Sequence, residues 1–387
     1  MSAGDWKDLL RASQEGDLGL VEYYIKMGID PNYQHPEFLT APLFESIRFG
    51  HLDITEFLLK NGADPNLKEG FGTDTPLSVA KSVQNKAAIQ LLKQHQMSSS
   101  TKPSTDRINK ILITGGNRGI GKAIAQQLLE EGQKVVIVSR DGQQGRAVVD
   151  ELKTSSGNPN IEMIQGNLSS IAGCQALIQA VKVKHSDINI FISNAGVWMT
   201  DLQLNEDQLE VSFMVNYLAP YILCRGLLPI LQANGPARIV NVNAGLYVKG
   251  KLDLNKTPTG LDFGPIHSYA TTKLCSVLFT IDFAREVADS GVTINAVHPG
   301  VINTGLGDSP KLISKLIKFV KRFWKPPTYG AQAPSWLAIS DEVEGVNGNY
   351  YNEMEVMPYI DVVKDKALQE ELRLRTEEIL NKSMFKK

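Results

Sequence analysis

The stretch KILITGGNRGIGKAIAQQLLEEG at residues 110–132 gives the clearest indication of how the chain folds. Its opening letters, KILIT, are typical of a buried strand, and after the glycines the apolar residues recur at helical spacing. Gly115, Gly119 and Gly121 stand between strand and helix. At such a turn a dinucleotide pyrophosphate can approach the backbone N–H groups of the helix, and a side chain at the glycines would block it. Because strand and helix both flank the turn, we favour a dinucleotide site over a merely tight turn.

The chain from residue 108 onwards continues this alternation of strand and helix. Further apolar runs that predict strands are KVVIVSR (134–140), IEMIQGNL (161–168), INIFISNAG (188–196), ARIVNVNA (237–244) and VTINAVHPG (292–300). Continuous apolar strands separated by helices are typical of a parallel sheet covered on both faces. The sequence therefore predicts an α/β domain with a Rossmann-type, doubly wound parallel sheet over residues 108–387.

The first hundred residues contain an internal repeat. IDPN at 29–32 recurs as ADPN at 63–66, and APL at 41–43 recurs as TPL at 75–77, each at an offset of 34 residues. The repeat resembles ankyrin repeats, which have a period close to 33 and a TPLxxA motif. This resemblance predicts a small all-α stack of about three repeats over residues 1–96, joined through a polar linker at 97–107. Such repeats mostly bind a protein partner, and a purely spacing role is the alternative.

Composition excludes several classes of function. The formal net charge is −2, so nucleic-acid binding is not expected, and the six histidines lack metal-ligand spacing, so no metal is expected. Cys174, Cys224 and Cys275 lie in apolar segments and are odd in number, which favours free thiols in a reducing compartment. Because we find neither an apolar leader nor an apolar run of roughly 18 residues, we expect a cytoplasmic protein.

Two arginines indicate which dinucleotide would bind. Ser139 and Arg140 follow the second predicted strand, where an NAD-selective site would carry an acid, and Arg118 lies inside the glycine turn. Both cations favour a 2′-phosphate and therefore NADP(H). The alternative is that Arg140 is a solvated strand-end residue, since Asp141 follows it.

Tyr269 and Lys273 begin a predicted helix with a spacing of four residues, which puts phenol and ammonium on one face. A nearby cation stabilises phenolate and lowers a tyrosine pKa from its usual value of about 10, which makes the phenol a usable acid or base. A pair on the surface is the alternative for this motif.

Taken together, the motifs resemble the short-chain dehydrogenase/reductase family over residues 108 to about 360. Those that carry the resemblance are TGGNRGIG, Asn194-Ala195-Gly196, Asn216, Tyr269 with Lys273, and HPGVINT at 298–304. KPPTYGAQAPSWLA (325–338) and VNGNYYNEMEVMP (346–358) are similar to the retinol dehydrogenase and WW-domain oxidoreductase type. Ankyrin repeats are not part of the usual family pattern, so the family implies no partner for them.

The resemblance implies roles for the matching residues. Tyr269 would exchange a proton with the substrate oxygen, Lys273 would bind the nicotinamide ribose and lower the tyrosine pKa, and Asn216 would hold a water in a proton relay. The alternative for Asn216 is a residue at a helix bend. The implied cofactor-binding residues are Gly115, Asn117, Arg118, Gly119, Ile120, Gly121, Ser139, Arg140, Asn167, Leu168, Asn194, Ala195, Gly196, Tyr269, Lys273, Pro299, Gly300, Ile302 and Thr304.

Within that set, the resemblance assigns different parts of the cofactor to different segments. Residues 194–196 would line the adenine-ribose side, and Asn167-Leu168 would stand near the adenine, where the family usually has Asp-Leu. Ile302 and Thr304 would contact the carboxamide. For Pro299-Gly300 the alternative is a plain turn.

One position departs from the family. The strand that corresponds to ARIVNV ends in Ser-Ser in the family, and the second serine contacts the substrate carbonyl; here the two residues are Asn243 and Ala244. Neighbours in an extended chain face opposite sides, so Asn243 should point away from the site, and we expect Ser268 to point elsewhere on its helix.

Two functions therefore remain open. The first is an NADP(H)-dependent oxidoreductase that interconverts a lipophilic alcohol and carbonyl. The second is a catalytically weak or inactive fold that serves as an NADP(H)-responsive binding module, with the ankyrin stack as its interaction surface. The basic amphipathic segment KLISKLIKFVKRFWK at 311–325 predicts a substrate-covering lid, a peripheral membrane contact or an ordinary packed helix. The family also implies a homodimer through two helices.

Overall fold

The computed structural model divides the chain into two compact units, Met1–Thr105 and Asp106–Lys387. It describes residues 3–34, 38–65, 67–69, 74–99, 107–303 and 325–384. Thr304 and residues 311–324 of the amphipathic segment lie outside the described residues.

The first unit is entirely helical in its described part. Its helices are α1 (Ala3–Glu15), α2 (Leu18–Lys26), α3 (Pro42–Phe49), α4 (Leu52–Lys60), α5 (Pro76–Ser82) and α6 (Lys86–Ser99). Each odd-numbered helix packs against the next even-numbered one, and α1, α3 and α5 follow one another in a row, as do α2, α4 and α6. The predicted ankyrin stack is confirmed. Helix α6 runs on to Ser99, three residues into the segment assigned to the linker.

The repeated motifs explain this stacking. Pro42 and Pro76, 34 residues apart, each occupy the first turn of a helix, where the missing N–H costs nothing. Asn32 of the first DPN motif accepts a hydrogen bond from the Asp64 N–H (2.7 Å) and donates one to the Gly62 carbonyl (2.8 Å). The turn of one repeat is thereby tied to the turn of the next.

The second unit is built on an eight-stranded sheet. Its strands are β1 (Lys110–Thr114), β2 (Lys134–Ser139), β3 (Ile161–Gln165), β4 (Ile190–Ser193), β5 (Ala237–Val242), β6 (Val292–His298), β7 (Tyr350–Asn352) and β8 (Glu355–Met357). The order is β3-β2-β1-β4-β5-β6-β7-β8, parallel throughout except for the β7–β8 pair. The predicted doubly wound sheet is confirmed. Each of the six predicted runs contains a strand, whereas β7 and β8 were not predicted.

Helices cover both faces of the sheet. They are α7 (Gly119–Glu130), α8 (Gly142–Ser156), α9 (Ile171–Lys184), α10 (Val211–Phe213), α11 (Ala219–Ala233), α12 (Pro265–Glu286), α13 (Pro327–Ile339), α14 (Asp361–Lys364) and α15 (Lys366–Met384). Helices α7, α8 and α13 contribute to one apolar core, and α9, α11, α12 and α15 contribute to the other.

The strand order reverses between β1 and β4, because the chain winds outward first to β3 and then to β8. In such sheets a crevice opens at the carboxyl ends of the strands beside this reversal, and ligands bind there. The ends of β1, β2, β4, β5 and β6 therefore define the region in which to look for the site.

The helical run Val211–Ala233 is long and apolar enough to cross a membrane by length and composition alone, which the sequence analysis did not anticipate. In the fold, 78% of its most apolar window is buried inside the protein. Burial to this degree is typical of a core helix, and α11 lies in the core beside α9.

Candidate active site

The glycine turn after β1 is closed so tightly that only glycine fits. Gly115 and Gly119 have left-handed backbone angles, with φ of +67° and +54°. A Cβ on Gly121 would lie 2.3 Å from the carbonyl oxygen of Gly115 and 2.4 Å from the side-chain nitrogen of Asn194. The turn is thereby held against the end of β4.

Helix α7 begins at this turn without a side-chain cap. Its N-cap residue Arg118 makes no capping hydrogen bond, whereas Asp141 caps α8 and Ser170 caps α9. The first N–H groups of a helix need an outside partner, and together they favour an anion. The uncapped N-terminus and the close glycine turn fit the pyrophosphate of a dinucleotide.

One cation, Arg140, follows the end of β2, and the acid next to it, Asp141, is already hydrogen-bonded. Asp141 accepts the N–H groups of Gln143 (2.9 Å) and Gln144 (3.0 Å) as a helix cap. Arg118 and Arg140 are both exposed. Neither makes an ion pair with a carboxylate in the part of the chain that the structure describes. Because the Asp141 carboxylate caps α8, the guanidinium of Arg140 is available to bind a phosphate.

Other residues predicted to bind cofactor have local partners. The Ser139 hydroxyl donates to the Asp141 carbonyl (2.7 Å), and the Asn117 side chain donates to Gln144 (2.8 Å). Asn167 is exposed, and its side-chain oxygen accepts from the Ser169 N–H (3.0 Å) and hydroxyl (2.7 Å). Leu168 packs against the core. These contacts fix the loops that border the crevice.

The segment after β4 links the glycine turn to Asn216 and helix α12. The buried hydroxyl of Thr114 accepts the N–H groups of Asn194 (3.0 Å) and Ala195 (3.1 Å). A Cβ on Gly196 would lie 3.4 Å from the Asn216 side-chain oxygen and 3.9 Å from Lys273 Nζ. The predicted 194–196 motif therefore reaches the predicted catalytic residues.

Asn216 lies in a π-helical turn, Met214–Leu218, between α10 and α11, so the helix-bend interpretation describes its backbone. Its oxygen accepts the Val197 N–H (2.8 Å), and its nitrogen donates to the Val197 carbonyl (2.9 Å) and the Thr272 hydroxyl (3.1 Å). Both side-chain donors are used. The side chain therefore positions Val197. A relay water could only donate a hydrogen bond to an oxygen of Asn216, because no side-chain N–H is left to bind it.

Tyr269 and Lys273 lie one turn apart on α12 and are 6% and 5% exposed, so the surface-pair alternative is wrong. The ammonium of Lys273 donates to the Val242 carbonyl at the end of β5 (3.1 Å) and stands 5.9 Å from the centroid of the tyrosine ring. The pair is enclosed at the carboxyl edge of the sheet, beside the reversal in strand order.

Burial controls the pKa of both groups. It raises the pKa of the Tyr269 phenol to about 12 and lowers that of the Lys273 ammonium to about 8. The expectation that Lys273 lowers the tyrosine pKa is therefore not met in this structure. Loss of water around the phenol outweighs a cation whose hydrogen bond goes to Val242 instead of the phenol oxygen.

Asn243 and Ser268, the two residues considered in place of the serine that the family resemblance implies, both have other hydrogen-bond partners. Ala244 has an extended backbone, and its N–H donates to the Asn243 side-chain oxygen (2.7 Å). The Asn243 nitrogen donates to the backbone carbonyl of Lys273 (3.2 Å), away from the phenol. Ser268 accepts the N–H of Gly264 (3.2 Å) at the start of α12. The expectations for Asn243 and Ser268 agree with these contacts.

The segment after β6 joins the site from the far side. Pro299 is buried, Gly300 has a φ of +88°, and Ile302 forms a parallel bridge with Lys325. A Cβ on Gly330 of α13 would lie 2.7 Å from Ile302 and 3.3 Å from Ile120. The glycine turn and the segment after β6 thus meet across α13.

Sequence reasoning missed three residues of this site. Thr114 and Thr272 are buried hydroxyls that hold Asn194 and Asn216, and Trp198 stacks on Tyr269 with ring centroids 4.9 Å apart. A polar residue at the end of an apolar strand could have indicated Thr114. The other two contacts depend on tertiary packing.

Comparisons with known proteins support the fold of both units. The family described as short chain dehydrogenase matches residues 109–311, and ankyrin repeats match residues 9–105. Retinol dehydrogenase 14 of Homo sapiens is 30% identical over 279 residues, which cover 68% of this chain and 83% of that protein. Polyprenol dehydrogenase of Homo sapiens is 32% identical over 281 residues, which cover 70% of this chain and 84% of that protein.

Solved structures share the fold. L-sorbose reductase from Gluconobacter frateurii, complexed with NADPH and L-sorbose, has a TM-score of 0.52 at 21% identity over 65% of this chain and 98% of that one. A short chain dehydrogenase from Burkholderia cenocepacia in complex with NADP has a TM-score of 0.51 at 22% identity. The match covers 63% of this chain and 95% of that one. The chain belongs to the short-chain dehydrogenase family, with ankyrin repeats at its N-terminal end.

Proposed function

We propose that the protein is an NADP(H)-dependent oxidoreductase that interconverts a lipophilic alcohol and the corresponding carbonyl compound. The observation that carries this proposal is the buried pair of Tyr269 and Lys273, one helical turn apart beside Asn216. A proton donor next to a cation, at the ligand-binding edge of a doubly wound sheet, suits the reduction of a carbonyl oxygen.

The cofactor preference rests on residues of this chain. The glycine turn and the uncapped N-terminus of α7 would hold the pyrophosphate, and Arg118 and Arg140 would bind a 2′-phosphate. The two solved relatives that contain NADPH or NADP support the same preference. When bound, the cofactor supplies or accepts a hydride at its nicotinamide ring.

The proton chemistry follows from the two pKa values. With a pKa of about 12, Tyr269 carries its proton at neutral pH and can donate it to the substrate oxygen during reduction. Lys273, with a pKa of about 8, is charged below that pH and stabilises the phenolate that remains. Carbonyl reduction near neutral pH therefore uses both groups in the protonation state that they already have.

The lipophilic substrate is proposed on two grounds. Relatives of this chain include a retinol dehydrogenase and a polyprenol dehydrogenase. In the sequence of 311–325, apolar residues recur at the spacing typical of an amphipathic helix, and most of the others are cations. This segment is proposed as a cover for the substrate and as a peripheral contact with anionic membrane.

A second candidate function rests on Ala244. Without a serine at this position, the domain could bind NADP(H) with little or no turnover and serve as a responsive binding module. The ankyrin stack would then provide the surface for a protein partner. The retained Tyr269 and Lys273 favour the enzyme.

Location and self-association are also proposals. The three cysteines, Cys174, Cys224 and Cys275, are free and buried, which supports a reducing, cytoplasmic location. A homodimer through two helices is proposed from the family alone.

The test is a screen of NADPH oxidation against aldehydes and ketones of graded chain length, run beside a titration of NADPH binding. Turnover that rises with chain length supports the enzyme. Tight NADPH binding without turnover of any carbonyl would support the binding module. Failure of the protein to bind NADPH would contradict both functions.

A further inference from the structure

Trp198 covers one face of the tyrosine that the proposed reaction uses as its acid. The two rings are stacked, with centroids 4.9 Å apart and planes inclined by 17°. The indole is half-buried at the edge of the site, whereas the tyrosine behind it is 6% exposed. An aromatic ring in this arrangement both restricts the phenol and excludes water from that face.

The position of the indole is fixed by the catalytic helix itself. Trp198 follows Val197, whose N–H and carbonyl are both bonded to the side chain of Asn216. Asn216 in turn donates to the Thr272 hydroxyl, and that hydroxyl donates to the carbonyl of Tyr269 (2.9 Å). Each of these hydrogen bonds has an ordinary length, so they fix the Trp198 segment relative to the helix that carries Tyr269.

We propose that Trp198 is a positioning residue for the reaction, whose indole holds the Tyr269 phenol in one orientation and keeps water from it. This inference rests on the proposed function for the role of the phenol, but the contact itself can be measured without turnover. The indole has no group that could exchange a proton with the substrate oxygen, because its single N–H is a donor only. Its effect is therefore transmitted through Tyr269.

The groups around the phenol leave burial as the main influence on its titration. Lys273 lies on the same helix, and Tyr350 of β7 interacts electrostatically with Tyr269. His298 of β6 interacts electrostatically with Lys273, and burial lowers the His298 pKa. Loss of water is the largest influence on the Tyr269 pKa, which it raises. Removal of a covering ring should therefore change the titration of Tyr269 more than that of its neighbours.

The experiment compares Trp198→Ala and Trp198→Gln, which admit water, with Trp198→Phe, which keeps a stacking ring. Tyrosinate absorbance is followed against pH for each protein and for the same protein with Tyr269→Phe. The difference between the two curves isolates Tyr269, and circular dichroism defines the pH range in which each protein is folded. A second readout is the pH profile of kcat for NADPH-dependent reduction, together with KM for NADPH.

We expect the Tyr269 step to move down by about one pH unit in the alanine and glutamine variants and to stay in place in the phenylalanine variant. Where turnover is measurable, kcat should fall about tenfold with the KM for NADPH unchanged, and phenylalanine should restore it. The proposal would be overturned if Tyr269 titrated at an unchanged pH in both Trp198→Ala and Trp198→Gln. It would also be overturned if Tyr269 did not titrate in these two variants at any pH at which they are folded. A shifted step in a protein without turnover would support it while contradicting the proposed function.

Discussion

Ala244→Ser adds the hydroxyl that the family resemblance implies just after β5. The alanine backbone is extended, with φ of −146° and ψ of 144°, a conformation that serine adopts without strain. Serine adds one oxygen, and the contacts of Asn243 with the Ala244 N–H and the Lys273 carbonyl do not involve the new atom. The substitution therefore changes the donors around the substrate oxygen and leaves the strand as it is.

The size of the effect follows from what the missing donor would do. A hydrogen-bond donor aimed at a developing oxyanion acts mainly in the transition state, and its loss costs about 10²–10³ in kcat, or roughly 3–4 kcal/mol. Tyr269 still supplies one donor in the present protein. We therefore expect slow but measurable reduction, and an increase of at least about tenfold in kcat for Ala244→Ser.

The assay is the initial rate of NADPH oxidation with a saturating long-chain aldehyde, together with the dissociation constant of NADPH. Ala237→Ser adds the same oxygen at the start of β5, the strand that leads to Ala244, and serves as the control because it lies at the end of the strand away from the site. The NADPH dissociation constant should be the same in all three proteins. Activity that is present but no higher in Ala244→Ser would refute the argument that the missing hydroxyl limits catalysis.

Three further predictions concern the cofactor and the proton donor. Arg140→Asp should reverse a preference for NADP(H) over NAD(H), because one charge-assisted bond to phosphate contributes roughly 1.5–3 kcal/mol. Lys134→Asp at the other end of β2 is the control. Equal dissociation constants for the two cofactors in the unmodified protein would contradict this prediction. The kcat for reduction should be constant below about pH 8 and fall above it as Lys273 loses its proton, and a profile that stays flat through that pH argues against the assignment. Gly121→Ala should abolish NADPH binding and lower the Tm, since the methyl group would lie 2.3 Å from the Gly115 carbonyl oxygen; unchanged binding in a calorimetric titration would be inconsistent with the described turn.

The sequence predicted the parts of the fold that continuous patterns encode. Strands β1, β2, β4, β5 and β6 are mostly buried apolar runs of four to seven residues, and the edge strand β3 still has apolar residues among its exposed ones; each of the six was recognised as a strand. Strands β7 and β8 have three residues each, too few for a periodic pattern, and all of β8 is exposed. Their existence depends on the edge that β6 offers, which is a tertiary property.

The site was predictable where one residue type is required by geometry or chemistry. Gly121 and the spacing of Tyr269 and Lys273 are of this kind. The direction of the Tyr269 pKa was not, because it depends on how much water remains around the phenol. The stacking of Trp198 on Tyr269 and the hydrogen bonds of the Asn216 side chain to Val197 and Thr272 likewise depend on tertiary packing.

The most direct test of the central claim compares the unmodified protein with Tyr269→Phe in NADPH-dependent reduction of a long-chain aldehyde. The phenylalanine ring can still stack on Trp198, so the substitution removes only the proton donor. We predict measurable reduction in the unmodified protein, none in Tyr269→Phe, and the same NADPH dissociation constant for both. Equal rates of reduction in the two proteins would contradict the claim that Tyr269 is the acid of an alcohol/carbonyl oxidoreductase.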